Sequence, residues 1–278
     1  MLLQRVITAL VLVALLLPAL LVDNLLPFAA LTLVMLGAAG WEWGRLNGLA
    51  GPRAWAMGAA VALTCAAAWW AGWATTAPPV VWWLAVACWI VGGGWALRNG
   101  PAAWPQLPRA ARLVLGWLIL SIGWLALAAA KQRGLGFILS ALCIVWAADI
   151  SAYFGGRTFG RRKLAPSISP GKSWEGVWSG MVGAALLAWG WTALQSAWPP
   201  IAPSVFSVVV ERHGWIVLLV GLAAVCGLSV MGDLLESLAK RAVGAKDSSG
   251  LLPGHGGVLD RIDALLPALP AVMALAGS

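Results

Sequence analysis

The sequence predicts an all-α, polytopic integral membrane protein with about nine transmembrane helices. Hydrophobic residues make up 61% of the 278 residues and charged residues only 10%, and the mean hydropathy is +0.87. Apolar runs long enough to cross a hydrocarbon core of about 30 Å as α-helices recur along the chain. No β-strands are expected, because these runs are continuous and lack the alternation typical of a lipid-facing barrel.

Nine apolar runs are the candidates for the membrane helices. Their approximate ranges are 6–22, 25–40, 54–76, 80–97, 112–130, 135–154, 174–193, 214–235 and 264–277. Arg5 precedes the first run, as in a signal peptide, but no small-residue cleavage site follows Leu21, so we expect an uncleaved anchor. The second and ninth runs are short, and Pro267 and Pro270 interrupt the ninth, so either run is a candidate for a re-entrant or tilted helix.

Positive charges divide unequally between the two sides of this nine-helix arrangement. With the N-terminus in the cytoplasm, Lys131, Arg133 and Arg212 fall outside, and the other fifteen of the 18 Lys and Arg residues fall inside. This pattern predicts polar loops that face the cytoplasm, and the compact chain without a transit segment indicates a bacterial-type inner membrane. The net charge of +8 is spread over short loops, which favours attraction to anionic lipid and argues against nucleic acid as a partner.

The polar loops divide the chain into two regions. Residues 1–130 are predicted to contribute transmembrane helices of general character. Residues 131–278 are predicted to form a catalytic transmembrane region, because two polar stretches, 157–176 and 237–263, lie there.

Acidic residues within or beside apolar runs indicate a functional site. A carboxylate within a spanning helix is costly, so Asp149 and Asp233 are candidates, and Asp149 shares one helical face with Tyr153 and Gly156. Eight of the ten acids fall at or near the predicted cytoplasmic face; they are Glu42, Asp149, Glu175, Asp233, Glu236, Asp247, Asp260 and Asp263. The alternative for any one of them is a simple pairing with Lys or Arg that holds helices together.

The densest group of polar residues covers positions 237–263. It contains Ser237, Lys240, Arg241, Lys246, Asp247, Pro253, His255, Gly256, Gly257, Asp260, Arg261 and Asp263. A helical turn would aim the carboxylates of Asp260 and Asp263 the same way, with Asp233 able to face them across the loop. Carboxylate oxygens suit Mg²⁺, and small residues beside His255 let the backbone approach a phosphate closely.

A second polar stretch covers positions 157–176. It ends in Ser169-Pro-Gly-Lys172-Ser173-Trp-Glu175-Gly176. Lys172 is expected to meet a phosphate, and Ser173 is a natural N-cap for a helix whose N-terminus would itself favour an anion. The alternative is an ordinary positively charged loop on the cytoplasmic side.

The two stretches together resemble the phosphatidate cytidylyltransferase family, also called CDP-diacylglycerol synthases. The family pattern reads S-x-x-K-R-x4-K-D, P-x-H-G-G and D-R-x-D, with S-P-x-K-[ST]-x-E-G upstream, and the resemblance is specific over residues 145–180 and 229–263. It implies that CTP and phosphatidate give CDP-diacylglycerol and pyrophosphate, by in-line attack of the lipid phosphate on the α-phosphorus of CTP. The partners it implies are CTP, phosphatidate and the lipid bilayer, and it suggests a homodimer.

The resemblance implies the two metal ligands, and charge and position indicate roles for the other motif residues. Asp233 and Asp260 are expected to hold Mg²⁺, with room for a second, monovalent ion such as K⁺. The cations expected to neutralise phosphates are Lys172, Lys240, Arg241, Lys246 and Arg261. Asp247 and Asp263 are expected to orient these groups. The residues expected to bind substrate are Asp149, Ser169, Ser173, Glu175, Ser237, His255, Gly256 and Gly257.

Three alternatives compete with this interpretation. An ion- or proton-coupled transporter would use Asp149 and Asp233 as relays along a pathway, although it leaves the two polar loops unexplained. A CDP-alcohol phosphotransferase would carry a D-G-x-x-A-R element, which this chain lacks. A catalytically inactive relative is disfavoured because every motif residue is present.

Overall fold

The first half of the chain folds into a series of helices connected by short loops. A computed structural model describes residues 2–198 and 202–277. Its first six helices are α1 (Leu2–Leu21), α2 (Leu25–Leu46), α3 (Pro52–Trp70), α4 (Trp73–Thr76), α5 (Pro79–Cys88) and α6 (Gly94–Asn99). A π-helical turn, Trp89–Gly93, joins α5 to α6 as one rod.

The second half contains the longest helices and a small hairpin. The helices are α7 (Arg109–Gln132), α8 (Leu135–Phe159), α9 (Trp174–Ala197), α10 (Val205–Ala242), α11 (Leu259–Ile262) and α12 (Leu265–Ala276). The strands β1 (Lys163–Ala165) and β2 (Ser169–Ser173) pair antiparallel between α8 and α9. Helix α10 is kinked at Gly214, whose φ of 80° is outside the helical region.

Seven helices in the described part of the chain are long and apolar enough to cross a membrane: α1, α2, the α5–α6 rod, α7, α8, α9 and α10. The sequence predicted nine, and the two that fall short are α3 and α12. Helix α12 has 12 residues, which at about 1.5 Å per residue is shorter than a hydrocarbon core. Its side chains are almost all buried, so it lies inside the bundle.

One of the two weakest predicted helices is confirmed, and one expectation needs correction. The second apolar run is a full-length helix, because α2 continues past residue 40 to Leu46. The expectation that strands are absent was wrong, because β1 and β2 form in the polar stretch between two membrane helices. Their residues lie outside the apolar runs on which that expectation was based.

The bundle has a polar end and an opposite end. At the polar end the Thr8 hydroxyl of α1 donates to the Pro253 carbonyl in the 243–258 loop at 2.9 Å. At the opposite end Lys131 donates to the Val22 carbonyl at 3.1 Å and Arg212 to the Ala276 carbonyl at 2.9 Å. The cations that the charge pattern assigned to the far side thus cap helix ends and turns there.

Helices α8 and α9 pack along one another through small residues. A Cβ on Gly180 would lie 2.9 Å from the Ala148 carbonyl, so only glycine permits this approach. Close contact between small residues is a common way of associating helices in lipid, where no hydrophobic force drives them together. The close packing of α8 and α9 lets Asp149 line the same cavity as Ser173 and Gly176 at the start of α9.

The polar end of α2 is held by the side chain of Asn47, which is buried. The Asn47 amide donates to the Trp43 carbonyl at 2.9 Å. Its carbonyl oxygen accepts from Trp104 Nε1 at 3.1 Å and from Arg112 Nη1 at 3.3 Å. One amide therefore joins α2, the turn before α7 and α7 itself.

Replacing Asn47 should destabilise the bundle. In Asn47→Ala the Trp104 and Arg112 donors lose a buried acceptor, so the free energy of unfolding should fall by about 1–3 kcal/mol. Thermal unfolding of the detergent-purified protein measures the change. Asn99→Ala is the matched control, because Asn99 is exposed and bonds only within its own helix; equal melting of the two variants would contradict the role of Asn47.

Candidate functional site

A cavity of about 630 Å³ opens between α8, β2, α9 and α10. This volume lies in the range of small-molecule binding sites. The residues that line it are Asp149, Ala152, Tyr153, Gly156, Arg157, Ser169, Gly171, Lys172, Ser173, Gly176, Val177, Val230 and Asp233. Five of the sequence-predicted site residues are therefore brought together here: Asp149, Ser169, Lys172, Ser173 and Asp233.

Three charged side chains from three different elements face one another across the cavity. Lys172 of β2 forms an ion pair with Asp233 of α10, with 2.8 Å between Nζ and Oδ2, and both side chains are about a quarter to a third exposed. Asp149 of α8 lines the same cavity. The site therefore combines a cation that suits phosphate with carboxylates that suit a metal or the cation itself.

The β1–β2 hairpin positions the cavity's polar side chains. Ser173 ends β2 and caps α9, accepting from the Gly176 amide at 3.2 Å, which confirms the predicted N-cap. Glu175 in the first turn of α9 accepts from the backbone amides of Arg161 and Arg162 at 3.1 and 3.2 Å. In the structure Glu175 thus fixes the start of the hairpin, and it does not line the cavity.

A second polar centre surrounds Asp260, next to the cavity but outside its lining. Lys240 Nζ lies 2.6 Å from Asp260 Oδ1 and 2.5 Å from Glu236. The Ser248 hydroxyl donates to Asp260 Oδ2 at 2.8 Å, and the Gly257 amide donates to the same oxygen at 2.7 Å. Lys240 is buried, so in this arrangement it balances two carboxylates.

Hydrogen bonding controls the ionisation of Asp260. Burial opposes the charged form, but hydrogen bonds from Lys240, Gly257 and Ser248 outweigh it and lower the pKa of Asp260 to about 2. The carboxyl is therefore ionised at neutral pH. Burial raises the pKa of Asp263, and the nearby charge of Asp233 raises it further. Asp263 thus behaves differently from Asp260 despite its position three residues later.

The two glycines of the His-Gly-Gly element leave room for two carboxylates of the protein itself. Gly256 has a φ of +82°, and a Cβ there would lie 2.8 Å from Asp260 Oδ2. A Cβ on Gly257 would overlap the Ser248 hydroxyl and a Glu42 oxygen. From the sequence these small residues were expected to admit a phosphate; in the structure they admit Asp260 and Glu42.

The remaining predicted residues hold the loops or face solvent. Arg241 donates to the Ile168 and Ala245 carbonyls, Arg261 donates to the His255 carbonyl at 3.0 Å, and Ser237 donates to Asp233 at 3.4 Å. Lys246 and Asp247 are exposed.

Asp260 and Asp263, which were predicted to point the same way, make different hydrogen bonds. The Asp263 carboxylate accepts from the Ala264 amide at 2.8 Å. The Asp260 carboxylate accepts from the Ser248 amide of the 243–258 loop and from Lys240. The short helix α11 ends between the two residues. Asp263 and Ala264 keep helical φ and ψ angles, so the common direction of the two carboxylates stays a prediction.

The donor set of the cavity suits a hard divalent cation held jointly with a ligand. Among residues 2–198 and 202–277, no three His, Cys, Asp or Glu side chains gather into a metal site by themselves. Magnesium in nucleotide sites is commonly bound by one or two carboxylates together with substrate phosphates and water. Asp233 and Asp149 supply such carboxylates at the cavity wall, whereas both oxygens of Asp260 already accept hydrogen bonds.

Some residues at the site were missed or undervalued by sequence reasoning. Arg157 lines the cavity but lay in a stretch that also fits an ordinary basic loop. Ser248 and Ser249 donate to carboxylates, although isolated serines carry no sequence signal. Glu42 was counted only as an acid near the membrane boundary, and its apolar surroundings were the available signal.

Comparison with known proteins identifies the chain's relatives. A family model described as "Cytidylyltransferase family" matches residues 3–278. A phosphatidate cytidylyltransferase of Pseudomonas aeruginosa is 38% identical over 284 residues, covering 99% of this chain and 97% of that protein.

Two further proteins with the same name match shorter segments. The protein of Haemophilus influenzae is 51% identical over 140 residues, which cover 50% of this chain and 44% of that protein. The protein of Brucella abortus is 39% identical over 185 residues, which cover 66% of this chain and 58% of that protein.

Adding a methyl group at Gly257 should disrupt the loop around Asp260. The Cβ of Gly257→Ala would overlap the Ser248 hydroxyl and Glu42, so the free energy of unfolding should fall by about 1–3 kcal/mol. Thermal unfolding in detergent measures this fall. Gly250→Ala in the same loop is the control, because a Cβ at Gly250 would meet no atom within 4 Å; an equal effect of both variants would show that the overlap at Gly257 is not the cause.

Proposed function

The chain belongs to the cytidylyltransferase family, and from that membership we propose that it acts as a phosphatidate cytidylyltransferase. The reaction is CTP plus phosphatidate giving CDP-diacylglycerol plus pyrophosphate, in phospholipid biosynthesis. The observation that carries the proposal is the cavity in which Lys172, Asp149 and Asp233 meet on a membrane-embedded bundle. Full-length similarity to the Pseudomonas aeruginosa phosphatidate cytidylyltransferase supports it.

The cavity has the properties that this reaction needs. A lipid phosphate must meet a nucleotide triphosphate, so the site has to offset several negative charges while remaining open to the bilayer. Lys172 and Arg157 supply positive charge. The exposed ring of Tyr153 lines the cavity, and the exposed ring of Phe154 packs against Tyr153. An acyl chain can therefore stay in lipid while its head group enters the cavity.

The proposed chemistry relies on positioning and electrostatics. An oxygen of the lipid phosphate attacks the α-phosphorus of CTP, the bond from that phosphorus to the bridging oxygen breaks, and pyrophosphate leaves. The attacking phosphate is already ionised near pH 7, so no strong general base is required. Lys172 is proposed to bind phosphate oxygens by exchanging its Asp233 partner for them.

Mg²⁺ is proposed as the cofactor, and when bound it would neutralise charge on the phosphates. Asp233 is its proposed ligand at the cavity wall. Asp260, the second ligand predicted from the family pattern, would have to release hydrogen bonds to reach a metal, so its proposed role includes ordering the loop. A monovalent ion such as K⁺ remains a proposal on the family resemblance alone.

We propose that the polar end of the bundle faces the cytoplasm of a bacterial inner membrane. The unequal distribution of Lys and Arg supports this orientation, and the relatives named above come from bacteria. A homodimer is proposed on the family resemblance, and nucleic acid is not an expected partner. Neither the family match nor the named relatives support the alternative of a transporter that uses Asp149 and Asp233.

The proposed activity is tested by pyrophosphate release from the detergent-purified protein. Release should require CTP, Mg²⁺ and phosphatidate together, and should stop when any one of them is omitted. A folded protein that releases no pyrophosphate with all three present would refute the assignment, and ion flux in liposomes would then test the transporter.

Removing the carboxylate of Asp260 should abolish turnover. Asp260→Ala leaves Lys240 and the Gly257 amide without their acceptor, so activity should fall by at least about 10³-fold while the protein still inserts into the membrane. Asp23→Ala is the matched control, because Asp23 is exposed at the opposite end of the bundle. Normal turnover by Asp260→Ala would exclude its proposed role.

Removing the charge of Lys172 in the cavity should lower the catalytic efficiency of the enzyme with CTP. Lys172→Gln keeps the size of the side chain but removes its charge, so kcat/KM for CTP should fall about 10- to 100-fold. Steady-state kinetics measures the fall. Lys163→Gln on β1 of the same hairpin is the control, because Lys163 is exposed and does not line the cavity; an equal loss would point to general charge effects.

A further inference from the structure

Glu42 lies near the polar end of α2, in the half of the chain that carries none of the family motifs. Its side chain has no solvent exposure. Its carboxylate accepts hydrogen bonds from four donors, and all four belong to one segment of the second half. The donors are the Ser248 hydroxyl at 3.3 Å, the Ser249 hydroxyl at 2.5 Å, the Val258 amide at 3.0 Å and the Leu259 amide at 2.7 Å.

These four bonds fasten both ends of the loop that precedes Asp260. Ser248 and Ser249 lie near the start of the 243–258 loop, and Val258 and Leu259 lie at its end. The donors that this loop gives to Asp260 adjoin or coincide with its donors to Glu42, since Ser248 and Gly257 both bond Asp260. The position of the Asp260 carboxylate therefore depends on where Glu42 holds the loop.

The charge of Glu42 is balanced by the loop itself. In the described part of the chain no Lys or Arg forms an ion pair with it. A buried carboxylate without a cation is costly unless donors surround it, and hydrogen bonds to a charged group are stronger than those between neutral groups. Opening the loop would expose the carboxylate and leave the Ser249 hydroxyl and two backbone amides without their acceptor.

The close approach of Glu42 also accounts for Gly257. A side chain at that position would overlap both Ser248 and the Glu42 carboxylate. Thr8 of α1 adds a second tie from the first half to the same loop through the Pro253 carbonyl. Contacts from two N-terminal helices thus converge on the segment that carries the family's His-Gly-Gly and Asp-Arg elements.

We propose that Glu42 is a positioning residue for the reaction: it clamps the 243–258 loop to α2 and thereby sets the Asp260 carboxylate in place. This inference rests on the proposed function, because the role of Asp260 belongs to that reaction. Glu42 itself does not line the substrate cavity. Its effect on catalysis passes through Ser248, Val258 and Leu259.

Kinetics of two variants test the clamp in the full-length protein. Glu42→Gln keeps the size but faces backbone N–H donors with an amide that accepts at only one atom, and Ser249→Ala removes a single donor. We expect kcat to fall about 10- to 100-fold in Glu42→Gln, as for residues that orient catalytic groups, and less in Ser249→Ala. The KM values for CTP and phosphatidate should stay within about threefold, since the lining of the cavity is untouched.

Thr32→Val is the matched control. Thr32 is also buried on α2 and donates only to carbonyls of its own helix, so its loss should leave kcat unchanged. A kcat of Glu42→Gln equal to that of the wild type would overturn the proposal. An equal fall in kcat for Thr32→Val would also overturn it, because α2 would then act through general stability.

Hydrogen–deuterium exchange gives a readout that does not depend on activity. The amides of Val258 and Leu259 should exchange faster in Glu42→Gln than in the wild type, while peptides from α7 and α9 should be unchanged. Unchanged exchange at both amides would overturn the clamp, and faster exchange throughout the bundle would reduce Glu42 to a structural residue. A wild-type protein without turnover would count against the proposed function alone, and exchange would still decide the clamp.

Discussion

Two buried carboxylates, Glu42 and Asp260, hold the polar end of this bundle together. Each carboxylate is surrounded by donors from the 243–258 loop, and Asp260 is also paired with Lys240. A charged group at the edge of a membrane is stable only when such partners surround it. The loop also pairs Leu252 with Gly256 through its backbone, and the two carboxylates add the bonds that hold both of its ends.

This arrangement separates the charged residues into two groups with different tasks. Lys172 and Arg157 line the open cavity together with Asp149 and Asp233, where a phosphate can displace weakly held partners. Lys240 is buried between Glu236 and Asp260, so its charge already has partners within the protein. Motif residues that look equivalent in the sequence therefore differ in how accessible they are to a substrate.

The two regions predicted from the sequence are joined through this same centre. The first region was expected to provide helices of general character, yet α1 and α2 both contact the loop that precedes Asp260. Asn47, one turn beyond Glu42, ties the end of α2 to α7. The N-terminal helices α1 and α2 thus stabilise the polar end in addition to being long enough to cross the membrane.

The sequence by itself determined that the protein is helical and membrane-spanning, because apolar runs of sufficient length have few other stable structures in lipid. It also indicated the family, located Lys172 and Ser173 by their motif, and located Asp149 and Asp233 as carboxylates within or beside apolar runs. Only the tertiary structure decided the partners of each charge. Glu42 and Ser249 are 207 residues apart in the chain, and no local pattern predicts such a contact. The same limit applies to Asp260: helical spacing relates it to Asp263, whereas its bonds to Lys240 and Ser248 come from tertiary contacts.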